Sequence, residues 1–265
     1  MSATNQEYLY FAIRFAQHAG DNILMKYHGK QQFQTWKART DFKTMVDDES
    51  DKYIREQIRR AFPEHSIISE ELEDYETGSE YKWVVDPLDG TLPYTFGTTD
   101  HFSVCIGLCK NGIPILGVIY APKRGEFYTA VDGEGAHCSR IPIKVSLETE
   151  INHILMGVDP GATNRKSHLP YLDRLMEKDG CICTVQSACA SVPLCLVAKG
   201  NLHAYLATSL LPWDMAAAVC IIREAGGRVT HLDGSDWKLG GRSILACNPE
   251  LHGKLLEFFK SKYQE

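Results

Sequence analysis

The chain reads as an α+β half followed by an α/β half, and three observations carry that prediction. Short runs of β-branched and aromatic residues between positions 81 and 139 are broken by the turn dipeptides Asn111-Gly112 and Asp132-Gly133, as in an antiparallel sheet. Beyond about Val145, strand-like and helix-like stretches alternate, which is the rhythm of α/β folds. Ahead of both lie two stretches whose apolar residues recur at helical spacing. With 265 residues the chain can bury a full core, and a soft boundary near Ser146 divides it into residues 1–145 and 146–265.

Leu9, Ala12, Ile13, Ala16, Ala19, Ile23 and Leu24 predict one long helix over 4–27, with Gly29 as its stop. A polar segment through Thr40 follows, and Lys37, Arg39 and Lys43 are the densest cations near an acidic cluster in this half. Asp47-Asp48-Glu49 opens a second helix, because acids favour the positive end of the macrodipole; Tyr53, Ile54, Ile58 and Ala61 form its inner face and Pro63 lies beyond its end. Ser66-Ile67-Ile68-Ser69 reads as a short strand that delivers Glu70 and Glu71, and 73–80 is an acidic connector expected in solvent. Strands are expected over 102–109, 115–121, 126–130, 136–139, 154–158, 182–185, 203–207, 228–230 and 243–246. Helices are expected over 168–178, 191–199, 213–225 and 249–262.

A net charge of -6 without a Lys/Arg run argues against nucleic-acid or membrane-surface binding. Nine cysteines, an odd number, include no C-x-x-C pair and no Cys/His set suited to zinc. Cys105, Cys109, Cys195 and Cys220 lie among Val, Ile, Leu and Ala, the setting of a buried, reduced thiol. Met1 to Gln6 lacks an apolar signal core and no apolar run reaches membrane-spanning length, so a cytoplasmic protein is expected.

Chemistry concentrates at Trp83-Val84-Val85-Asp86-Pro87-Leu88-Asp89-Gly90-Thr91, an apolar strand that runs into two acids. Two carboxylates at the end of a buried strand repel each other unless a cation sits between them. Pro87 turns the chain, which lets acids three residues apart face one small volume. Gly90 and Thr91 leave backbone N–H groups free at a helix start, where a phosphate oxygen binds well. Glu70 adds a third carboxylate, and oxygen ligands suit hard ions such as Mg²⁺. A further acid, Asp214 in Pro212-Trp213-Asp214-Met215-Ala216-Ala217-Ala218, is either a helix-start residue or a ligand reaching in from the second half.

With these motifs in view the chain resembles the inositol monophosphatase family of Mg²⁺-dependent, lithium-sensitive phosphatases over nearly its whole length. Ile68-Ser69-Glu70-Glu71, Asp86 to Thr91, and Trp213-Asp214-x-Ala-Ala with Glu224-Ala225-Gly226-Gly227 match the family's signatures. Asp41-x-x-Thr44-x-x-Asp47 and Glu126-x-Tyr128-x-Ala130-x-x-Gly133-x-Gly135-Ala136 are weaker echoes. The second of these disposes of a dinucleotide reading of Gly133-x-Gly135, because a strand and not a helix follows.

The resemblance implies a layered α-β-α-β-α sandwich, an α+β half against an α/β half, and a homodimer. It implies that Glu70, Asp86, the Leu88 carbonyl, Asp89 and Asp214 bind Mg²⁺, that Asp47 and Thr91, with Glu70, activate the attacking water, and that Gly90 and Thr91 hold the phosphate. Li⁺ is the expected inhibitor. Departures fall on the substrate wall: Ala207 and Leu211 stand where inositol-specific members carry a Glu and a His, Gln186 where an Arg is common, and Cys189-Ala190 where Gly-(Ser/Thr) is common. Leu92-Pro93-Tyr94 also alters the surface beside the phosphate. The expected activity is therefore hydrolysis of a small phosphorylated metabolite, inositol-phosphate-like or a sugar phosphate. Fructose-1,6-bisphosphatase, histidinol-phosphate phosphatase and 3′-phosphoadenosine phosphatase activities are the alternatives in the same chemistry. A catalytically idle, ligand-binding sensor is the alternative from another class.

Overall fold

A computed structural model describes residues 4–30, 34–38, 41–161 and 164–260. Helix α1 (Asn5–His18) opens with a capping box in which Thr4 and Glu7 satisfy each other's backbone N–H groups. The rod continues through a π-helical turn, Ala19–Leu24, into the short α2 (Met25–Tyr27). The wider turn presents Asp21 to the Tyr120 hydroxyl, which donates to its carboxylate. An antiparallel hairpin, β1 (Gln34–Ala38) and β2 (Asp41–Thr44), occupies part of the expected polar segment. Its signal was one aromatic pair among polar residues: Trp36 and Phe42 are register partners with ring centroids 5.2 Å apart. Arg39 lies outside the described residues. Helix α3 (Met45–Ala61) starts two residues before Asp47, because Thr44 is its N-cap.

Strands β3 (Ser66–Ser69) and β4 (Tyr81–Asp89) are parallel. After α4 (Thr91–Phe96) come β5 (Ser103–Lys110), β6 (Ile113–Ala121), β7 (Glu126–Val131), β8 (Ala136–Cys138) and β9 (Ile141–Pro142). These complete a seven-stranded sheet in sequence order, antiparallel from β4 onward. The second half supplies β10 (Leu155–Asp159), α5 (Leu169–Leu175), β11 (Cys183–Val185), α6 (Ser191–Ala198), β12 (Ala204–Ala207), α7 (Pro212–Glu224), β13 (Arg228–Thr230), β14 (Ile244–Cys247) and α8 (Pro249–Lys260). Its five strands run in the order β11-β10-β12-β14-β13, with β10 parallel to β11 and β12, and β14 antiparallel to both its neighbours.

Alternation along the strands sorts side chains into layers. On β4, Trp83 and Val85 join Ala12, Ile54 and Ile58 from α1 and α3, whereas Val84 packs with Cys195 and Ala216 from α6 and α7. On β12, Tyr205 and Ala207 face that same α6/α7 layer, while Ala204 and Leu206 pack with Leu251 and Leu255 of α8. The result is the α-β-α-β-α sandwich. Its middle layer is held tightly: a Cβ on Gly117 of β6 would stand 2.1 Å from the Ala217 carbonyl oxygen, so α7 rests directly on the sheet backbone. All nine cysteines are free, and Cys105, Cys109, Cys195 and Cys220 are buried in these layers.

Candidate metal and phosphate site

The site begins with an irregularity in β4. Asp86 pairs with Cys105 and Asp89 with Ser103, so three steps along β4 oppose two along β5. In a regular strand residues three apart point to opposite faces; the extra residue at Pro87-Leu88 removes that alternation and turns both acids to one side. Gly90 follows at φ 83°, and a Cβ there would lie 2.5 Å from the His101 carbonyl oxygen, so only glycine fits between the strand and α4. The Leu88 N–H donates to Asp86 Oδ1 at 3.0 Å, and the Thr91 hydroxyl reaches the Leu88 carbonyl at 3.2 Å.

Asp214 arrives from the opposite layer. Pro212 starts α7, and Asp214 sits in its first turn, where its Oδ2 accepts the Leu211 N–H at 2.7 Å. Carboxylate oxygens of Asp86, Asp89 and Asp214 all lie within 4.8 Å of one another. Burial raises the Asp86 carboxyl well above the usual range, and the charges of Glu70, Asp89 and Asp214 push it the same way. Asp214 is raised by burial and then by Asp89 and Glu70. Buried acids held this close either keep protons or share a cation, and an all-oxygen donor set suits a hard divalent ion.

Asp89 is held by the start of α6. Its Oδ2 accepts the Ser191 N–H at 2.6 Å, the Ala190 N–H at 3.0 Å, the Cys189 thiol at 3.0 Å and the Ser191 hydroxyl. Ser103, the register partner of Asp89, holds that hydroxyl at 2.7 Å. The loop ahead of α6 contains Ala188 at φ 52°, so the left-handed residue falls one position before Cys189, where the resemblance places a glycine. Asp47 lies behind Thr91: its Oδ2 accepts the Thr44 N–H and hydroxyl, both at 2.7 Å, and its Oδ1 accepts the Thr91 hydroxyl at 3.2 Å. Deeper still, Asp51 Oδ2 accepts the Ser69 hydroxyl and the Glu71 N–H, which fixes the turn that carries Glu70; burial pushes its carboxyl up to about 6. Lys43 pairs with Asp48 at 2.5 Å and Glu71 at 3.6 Å, so this expected cation braces the acidic turn.

These groups surround a cavity of about 500 Å³. Glu70, Asp86, Leu88, Asp89, Gly90, Thr91 and Asp214 line it, as do Gln186 and Ala190. The other two wall residues do not. Ala207 is fully buried on the α6/α7 face of β12, and Leu211 serves instead as the N-cap residue whose backbone holds Asp214. Asp159 and Leu210 also line the cavity. Asp159, Arg165 and Ser191 were missed because each is a single residue with no local motif; the only hint for Asp159 was its place just after the strand expected over 154–158 in the α/β half, since α/β ligand sites gather beyond strand ends.

A five-layer sandwich brings carboxylates from β4 and α7 together over one cavity, and that donor set suits a hard metal ion. The chain matches the inositol monophosphatase family over residues 4–264, and it belongs to that family. It is 34% identical over 253 residues to the Nus factor SuhB of Pasteurella multocida, covering 94% of each chain. It is 33% identical over 255 residues to the fructose-1,6-bisphosphatase/inositol-1-monophosphatase of Aquifex aeolicus, covering 95% of each. The solved inositol monophosphatase of Anabaena superposes with a TM-score of 0.85 at 32% identity, over 97% of this chain and 96% of the other.

Proposed function

We propose that the protein is a Mg²⁺-dependent phosphomonoesterase acting on a small polyhydroxylated phosphate. The observation that carries this reading is the meeting of Asp86, Asp89 and Asp214 at one buried point beside Gly90 and Thr91. Glu70, Asp86, the Leu88 carbonyl, Asp89 and Asp214 hold the metal, which when bound supplies charge for the phosphate oxygens and acidifies a water. The Thr91 hydroxyl has Asp47 Oδ1 and the Leu88 carbonyl both at 3.2 Å; with its one proton turned to Asp47, its lone pairs are free to accept a proton from the attacking water, with Asp47 as the base behind it. Glu70 faces the same space and orients that water. The backbone N–H groups of Gly90 and Thr91 hold the ester phosphate. Burial of Asp86 and Asp89 strengthens their electrostatic interactions relative to those of exposed carboxylates.

Phosphate release from a panel of inositol, sugar, histidinol and nucleotide phosphomonoesters, with Mg²⁺ and again with added Li⁺, tests the reading. Mg²⁺-dependent release suppressed by Li⁺ is expected; no release from any ester by folded, Mg²⁺-loaded protein contradicts it. A second reading is a catalytically idle, ligand-binding protein; the Pasteurella relative bears the name Nus factor and not that of a phosphatase. Retention of Asp47 and Thr91 in hydrogen-bonded contact favours catalysis over that alternative.

A further inference from the structure

Asp159 ends β10 at the carboxyl side of the parallel trio β11-β10-β12, and it lines the cavity without belonging to the group formed by Asp86, Asp89 and Asp214. Its carboxylate is fixed in advance of any ligand. Oδ1 accepts the Gly161 N–H at 2.7 Å, and Gly161, at φ 67°, is pressed so closely on the segment leading into α7 that a Cβ would stand 2.2 Å from the Ser209 carbonyl oxygen. The register partner of Asp159 on β12 is Ala207, whose methyl offers no donor to compete for it.

A carboxylate has roughly four acceptor sites, and among the described residues the Gly161 N–H takes one of them, which leaves acceptor capacity for a ligand. Half-buried on the cavity lining, that capacity faces the space a ligand would fill, and hydroxyl donors on a ligand that displaces water from it would use it. Arg165, Gln186 and Ser187 share the same wall, so the positive charge of Arg165 offsets that of Asp159 and disfavours a second cation on the ligand. The wall is thus polar, nearly neutral in sum, and rich in hydrogen-bonding groups. We propose that Asp159 is a specificity-determining residue that accepts hydrogen bonds from hydroxyl groups on the organic half of the phosphate ester, selecting polyol monophosphates over aromatic ones. The proposal rests on the cavity being a phosphate-ester site, as inferred above.

Two arms keep it separable from that reading. In the first, kcat/KM is measured for myo-inositol 1-phosphate and for p-nitrophenyl phosphate, with wild type, Asp159→Ala and Asp159→Asn. The alanine variant is expected to lose about 100-fold on the polyol ester, since a site built for a hydroxyl discriminates strongly, and to stay within about threefold on the aromatic one. The asparagine variant, which keeps an acceptor for Gly161, falls between and guards against a folding defect in the alanine variant. In the second arm, calorimetry with Mg²⁺ compares an inositol phosphonate, whose C–P bond resists hydrolysis, with methylphosphonate. Asp159→Ala is expected to weaken the first by about 10-fold or more and leave the second unchanged. Equal losses on both ligands, no loss on either, a weakened Mg²⁺ affinity, or failure of the wild type to bind either phosphonate overturns the assignment. A wild type that binds the inositol phosphonate through Asp159 yet hydrolyses no ester leaves Asp159 assigned and sinks only the phosphatase reading.

Discussion

Single side chains decide whether the carboxylate cluster is a site or a strain. Asp89 spends one oxygen on four donors from the start of α6, among them Ser191, and this orients the rest of the carboxylate towards Asp86 and Asp214. Partners behind a metal ligand are worth about 10–100-fold in metal affinity. Ser191→Ala is therefore expected to weaken Mn²⁺ binding by about tenfold in a titration followed by electron paramagnetic resonance, with thermal stability little changed and Ser191→Thr closer to wild type. An unaltered Mn²⁺ affinity in the alanine variant removes Ser191 from that role. At Ala188, a side chain in the left-handed region costs about 1 kcal/mol relative to glycine, so Ala188→Gly should stabilise the protein by about that amount in urea unfolding. The residues legible in the sequence were those in a local string, Asp86 to Thr91, because Pro87 and Gly90 announce the turn that aims them. Asp159 and Ser191 act through contacts with residues far along the chain, which no local pattern records.

Between elements, the site depends on how α7 is pressed against the first sheet. Asp214 rides on its first turn, and the helix touches β6 through bare backbone at Gly117. Gly117→Ala puts a methyl where the Ala217 carbonyl stands, and overpacking of this kind costs about 3 kcal/mol. The expected outcome is a lower melting temperature together with weaker divalent-metal binding, because the helix that moves carries a ligand. A variant with normal stability and metal affinity would show that α7 adjusts independently of the sheet. Helix and strand order were readable from periodicity and turn residues, whereas the β1–β2 hairpin and the π-helical turn were not. The hairpin rests on a lone Trp36–Phe42 pair, and the π-turn on contact with Tyr120, about a hundred residues away in the chain.

At the scale of the whole molecule, the buried acids link folding to pH. Asp51 is raised to about 6, and Asp86 and Asp214 are raised well above their ordinary value, so the folded protein binds more protons than the unfolded chain. Their contribution is fully present below the unfolded carboxylate range near 4 and is lost as pH rises through the folded values. Metal-free protein is accordingly expected to melt at a lower temperature at pH 7.5 than at pH 5. Asp51→Asn should flatten that slope in part, with the difference read by thermal unfolding at both pH values. Mg²⁺ should raise the melting temperature more at pH 7.5, where the cluster's protons are more easily displaced. The two differing halves followed from the order of elements and the sandwich from the family resemblance alone, while the meeting of β4 with α7 came from tertiary packing that the sequence only implied through Asp214.

The proposed chemistry depends on Asp86, Asp89 and Asp214 forming one divalent-metal centre. Titrating Mg²⁺ calorimetrically into wild type, Asp89→Asn and Asp214→Asn at pH 7.5 measures it. Saturable binding in the wild type and a loss of about 100-fold or more in each variant, from opposite halves of the chain, is the predicted result. Equal Mg²⁺ affinity in all three folded proteins would contradict it.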